Sequence, residues 1–173
     1  MSAPVDQSQF KTSVEQSFFV VATLWRGAMV ERFARIEFFV DRSIAACAKA
    51  GIDPAKNCSD HLPTKRIEVL LKSLEDPRLA EHSITARKSL AEIKDCWVQR
   101  NALCHGRMHV LKRSVRIDWR AYAKGISTPS KLPLKDWEML AILGKMDRVQ
   151  AALGSQLGYV DKICAGMAPA HPL

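Results

Sequence analysis

Arg100-Asn101-Ala102-Leu103-Cys104-His105-Gly106 gathers, within seven residues, side chains that can grip a phosphodiester and move protons around it. A guanidinium can hold a non-bridging phosphate oxygen through charge-assisted hydrogen bonds and stabilise the charge that grows there. An imidazolium can protonate a departing 5′-oxygen. An amide between them can orient the imidazole or bond the substrate. RNA carries its own nucleophile, the 2′-hydroxyl, so such a site needs neither a metal nor a protein nucleophile. The spacing alone admits a plainer reading as well. His105 can be a helix C-terminal cap, Asn101 a local hydrogen-bonder and Arg100 half of a core ion pair.

The elements around the motif must then position it. Asn101 and His105 are four apart and share a helix face. Arg100 and His105 are five apart, about 140° around an ideal helix. Arg100 continues the stripe of Leu90, Ile93 and Trp97, so its stem faces the packed side and its charge needs a partner. Glu37, among Phe33, Val40 and Ile44, is the acid suited to supply it, or else it sits at the edge of its face and reaches water.

Apolar spacing predicts four helical segments. The first runs from Gln7 to Lys49 and, unbroken, would be about 65 Å long. Gly27 is the expected break. Gly51, Asp53 and Pro54 end it, and a polar loop follows to Leu62. The second spans Pro63 to Glu75, with Ile67, Leu70, Leu71 and Leu74 on its apolar face. The third spans Pro77 to Cys104, capped by Asp76, with Gly106 as a left-handed stop. Residues 108–123 switch to period two, with Val115, Ile117, Trp119 and Ala121 alternating with polar neighbours. That reads as a small hairpin turning around Lys112-Arg113-Ser114. Ser127 to Pro133, with two prolines, reads as loop. The fourth helix spans Leu134 to Cys164. The expected fold is all-α: one domain over 1–173, an up-down bundle of four to five helices with a small β-hairpin inserted before the last.

The formal net charge is +8, and its placement matters more than its size. Residues 1–60 are neutral overall, whereas 107–124 hold six basic residues against one acid. Arg107, Lys112, Arg113, Arg116 and Arg120 can track an RNA backbone, with His109 or Tyr122 stacking on a base. A solvated basic surface or a charge-protected edge strand is the alternative. The five cysteines are scattered and contain no Cys-x-x-Cys pair, which disfavours a disulfide scaffold. Cys58-Ser59-Asp60-His61 has ligand spacing but no second pair, so we expect no metal and no cofactor. The longest apolar run, Phe18 to Trp25, is too short to span a bilayer, and the first residues lack a secretion-signal layout. Together these predict a cytoplasmic protein without a membrane partner.

Arg-Asn-x-x-x-His-Gly near the end of the penultimate long helix resembles the HEPN superfamily. Ala34-Arg35-Ile36-Glu37 looks like the acidic-residue region of those domains, and Lys65 to Leu74 looks like their second helix. The resemblance covers roughly residues 20–165, with only the seven-residue motif specific. It implies a metal-independent ribonuclease of toxin or phage-defence type. Arg100 and His105 would be catalytic, Asn101 would assist and Glu37 would support. It further implies a homodimer with both motifs at one RNA cleft, and an antitoxin or other protein partner. In some toxin members a tyrosine two residues after the histidine is modified by the antitoxin. Arg107 stands there in this chain, a departure from that pattern which puts the scheme in doubt. The superfamily also contains inactive members, so a non-catalytic module binding RNA, a nucleotide or a protein is the alternative. A third reading is an all-α interaction protein whose motif is only a helix terminus.

Overall fold

Every third or fourth residue of the first helix from Ala22 to Cys47 is buried: Ala22, Trp25, Met29, Phe33, Ile36, Val40, Ile44 and Cys47. This is the stripe that 3.6-residue periodicity requires. The helix, α1 (Gln7–Lys49), runs through Gly27 without a break. A Cβ at Gly27 would meet nothing, so this glycine marks open space and not a bend. The structure is a computed structural model and describes residues 7–55, 62–123 and 126–167, including side chains except those of 7–15, 95, 122 and 123.

Three further helices follow: α2 (Pro63–Ser73), α3 (Ile84–His105) and α4 (Asp136–Met167). Between α3 and α4 lie β1 (Arg107–Leu111), β2 (Ser114–Ala123) and β3 (Ile126–Lys135). They form an antiparallel sheet in the order β1-β2-β3. The all-α expectation is therefore corrected. The chain is mostly helical but carries a three-stranded sheet, and the expected hairpin is only its first two strands. The segment expected as loop is β3, which pairs with β2 along its whole length, from Ser114↔Lys135 to Ala123↔Ile126. Pro129 and Pro133 suggested a loop because proline cannot donate to a ladder. They are four apart on an edge strand, so both ring nitrogens can face the unpaired side.

Two helix starts also differ from expectation. α3 begins at Ile84, not Pro77. Residues 74–83 form turns instead, because side chains compete for the backbone groups a helix would use. Asp76 accepts the Arg78 amide at 2.9 Å, and the buried Ser83 hydroxyl donates to the Leu74 carbonyl at 2.8 Å. α4 begins at Asp136 because β3 takes Leu134 and Lys135.

The described residues fall into two compact units. The first comprises residues up to Glu31 and Val98–Lys145, and it contains the sheet and the motif. Its interior includes Trp25, Leu103, Val115, Ile117 and Met139, and the Trp25 indole donates to the Met139 carbonyl at 2.7 Å. The second comprises Arg32–Trp97 and the chain from Met146 onward. Its described elements are helical, with Phe33 set edge-on to Trp97 at 5.7 Å between ring centres. No helix among the described residues is long and apolar enough to cross a membrane.

Candidate active site

The motif occupies the last turn of α3. Asn101 and His105 are both exposed and both line one cleft of about 320 Å³, together with Val98, Trp119, Arg120 and Ala121. One wall is thus the end of α3 and the other is β2. β1 pairs with β2 only as far as Arg107↔Asp118, so Trp119 to Ala121 have no β1 partner. The cleft opens where the β1 ladder stops.

Two features fix the end of α3. The Gly106 amide donates to the Ala102 carbonyl at 2.7 Å. A Cβ at Gly106 would collide with the Ala102 carbonyl oxygen and with the Ile117 side chain. Glycine is required here by close approach. Of the described glycines only Gly51 has a positive φ, at 76°, so the expected left-handed stop at Gly106 is not formed. The second feature is Arg26 of α1. Its Nε donates to the Leu103 carbonyl at 2.7 Å and its Nη2 to the Gly106 carbonyl at 2.9 Å. These lie at the carbonyl-rich end of the helix, where a cation is favoured. No spacing argument singled out Arg26, because its partners are distant in sequence.

Arg100 is half-buried and donates through Nη1 to the Asn101 side-chain oxygen at 3.4 Å. That leaves the Asn101 amide nitrogen as the group's donor. Glu37 belongs to the second unit. It lines a small pocket of about 50 Å³ there with Asp41, Arg66 and Trp97. Arg66 bridges Asp41 at 2.5 Å. Burial nevertheless raises the Asp41 carboxyl above its ordinary value, helped by the Glu37 charge and opposed by Arg66.

The basic segment divides. Arg120 is exposed at the cleft, with its Nε donating to the Ser127 hydroxyl at 2.7 Å. Arg116 Nε lies 3.0 Å from Asp118 Oδ1, a charge contact without hydrogen-bond angles. His109 Nε2 lies 3.3 Å from Asp118 Oδ2, so its ring is turned to a carboxylate and not into the cleft. Arg113 bridges Asp136 at 2.6 Å and holds that carboxyl below its ordinary range. Lys112 and Arg113 sit at the hairpin turn and line a different, largely apolar pocket of about 440 Å³ with Phe18, Val21, Met139 and Leu140. Arg107 is exposed at the start of β1. The Tyr122 side chain, Lys124, Cys58 and His61 lie outside the described residues.

Comparison with protein-family models, with curated proteins and with solved structures found no match.

The structure thus brings Asn101 and His105 together and joins to them Trp119 of β2. Its place on the alternating strand pattern was legible. Its place at a cleft was not, because that depends on where β1 ends.

Proposed function

We propose that this chain is a metal-independent endoribonuclease of HEPN type, active as a homodimer. The observation that carries the reading is that His105 and Asn101 line one cleft, with the Arg100 guanidinium bonded to the Asn101 side chain. The imidazole, the amide and the guanidinium of the motif are the groups needed around a phosphodiester in RNA, and no carboxylate is among the described residues that line the cleft.

The reaction follows from RNA's own chemistry. The 2′-oxygen attacks phosphorus, the O2′–P bond forms and the P–O5′ bond breaks. His105, as imidazolium, gives its proton to the departing 5′-oxygen. Arg100 stabilises the charge on the non-bridging oxygens. A neutral imidazole from a second copy takes the 2′-hydroxyl proton. The products are a 2′,3′-cyclic phosphate and a 5′-hydroxyl. Association has support in exposed apolar side chains of the first unit, including Phe19, Val20, Leu24 and Leu140.

The test is incubation of purified protein with labelled mixed RNA in EDTA, wild type beside His105→Ala. Cleavage by the wild type alone, leaving cyclic phosphate ends, is the expected result. Equal cleavage by both would sink the assignment. Salt-sensitive binding without cleavage would favour a non-catalytic RNA-binding module on the same cleft.

A further inference from the structure

The cleft beside His105 has a composition that phosphate chemistry alone does not explain. A phosphate needs cations and donors, which His105 and Asn101 supply. It has no use for Val98, Ala121 and an indole. Trp119 is only half-buried although it is large and apolar, and it lines the cleft. Its neighbours on the same strand pattern, Val115 and Ile117, are fully buried. Trp119 differs from them because β1 ends at the pair Arg107↔Asp118, one residue before it. The strand that would flank it is missing, and the end of α3 faces the gap.

The volume, about 320 Å³, lies in the range of small-molecule sites, about 300–1,000 Å³. Its lining combines an indole, an amide and an imidazole able to bear charge. A planar heteroaromatic ring attached to an anion satisfies all of these together. The indole suits the ring, an Asn101 donor suits a ring acceptor, and His105 suits the attached phosphate.

We propose that this cleft is a nucleobase subsite, with Trp119 as its stacking platform and Asn101 as the reader of the base edge. The inference rests on the nuclease reading only for the identity of the polymer, RNA. It names which residues choose the nucleotide next to the scissile phosphate. It replaces His109 as the stacking group, since that ring is turned to Asp118. A base can enter only when unpaired and unstacked, so a base-paired RNA is excluded from the subsite.

The experiment measures binding of a labelled, unstructured RNA oligonucleotide to the full chain carrying His105→Ala, which stops turnover. The same protein is then measured with an oligonucleotide of equal length that lacks bases. The parent should bind the ordinary strand about tenfold or more tightly than the abasic one. Adding Trp119→Ala should weaken the ordinary strand by a similar factor and leave the abasic strand unchanged, while Trp119→Phe should restore most of the loss. Equal affinity of the parent for the two strands overturns the proposal, and that comparison holds even if Trp119→Ala fails to fold. An equal loss on both strands in a folded Trp119→Ala protein also overturns it. Base-dependent, Trp119-dependent binding in a protein whose wild type cleaves nothing would remove the nuclease and leave the subsite. Cleavage by a wild type that binds both strands alike would do the reverse.

Discussion

Arg26 donates to carbonyls on either side of His105, those of Leu103 and Gly106, at 2.7 and 2.9 Å. A guanidinium offers a planar fork that can serve both oxygens, whereas an ammonium is a single compact charge. Hydrogen bonds from a charged donor contribute more than neutral ones, and Arg26 is only half-buried, so part of that is lost to water. We expect Arg26→Ala to lower unfolding free energy by about 2 kcal/mol in urea titrations. Arg26→Lys should recover less than half of it. A loss within error for Arg26→Ala would show that the helix end is held by packing alone. Gly106 acts beside it by absence: lacking a Cβ, it lets the α3 terminus rest on Ile117. His105 was legible from its neighbours in sequence. Arg26 was not, because it lies 77 residues before Leu103 and nothing local marks it.

The turn between α2 and α3 shows how an element boundary depends on side-chain chemistry. Asp76 accepts from the Arg78 amide at 2.9 Å and from two guanidinium nitrogens at 2.8 Å each. Arg78 thereby holds the Asp76 carboxyl down to about 2, against an ordinary 3.8. An unfolded aspartate binds its proton more tightly than this folded one. The stabilisation is therefore complete above the ordinary carboxylate range, and it is lost as pH falls from about 4 towards 2. In urea midpoints measured across that window, the gap between wild type and Asp76→Asn should close as pH falls. A gap constant from pH 6 to about pH 2 would deny Asp76 this role. The start of α3 was misread for a related reason. Asp76-Pro77 is a good helix entry by local rules, but Ser83 reaches back to Leu74 and delays the helix to Ile84. β3 was misread because proline argues against a strand unless the strand is known to lie at an edge.

At the scale of the whole molecule, the charge excess is smaller in effect than in count. Within 107–124, Arg116 faces Asp118 and Arg113 is held by Asp136, so these two cations are partly neutralised. Arg107 and Arg120 remain exposed. The apolar exposure is concentrated elsewhere in the first unit, where Val21 and Leu140 line one pocket and are 52% and 68% exposed. A surface of this kind is normally covered by a partner. For the proposed homodimer, light scattering should give twice the chain mass of 19.3 kDa. Leu140→Glu should shift the protein to monomer with its helical circular dichroism intact, since Leu140 is not part of the core. A dimer unaffected by Leu140→Glu would place the association on another face.

The sequence by itself determined the apolar stripes of the first three helices, the first hairpin and the position of Arg100, Asn101 and His105 at a helix end. These are local properties. A helix or strand is written in the period of its own buried residues, and a helix end in its neighbouring glycine. Tertiary structure alone decided that 126–135 is a strand, that Gly106 is required by contact with Ile117, and that Arg26 secures the helix end. It alone placed Trp119 and Arg120 in the cleft with His105. Each of these depends on pairing between residues far apart in the chain, and above all on where β1 stops. Hydrophobic period carries no record of strand length or of which edge is left open, so the cleft exists only once the sheet is formed.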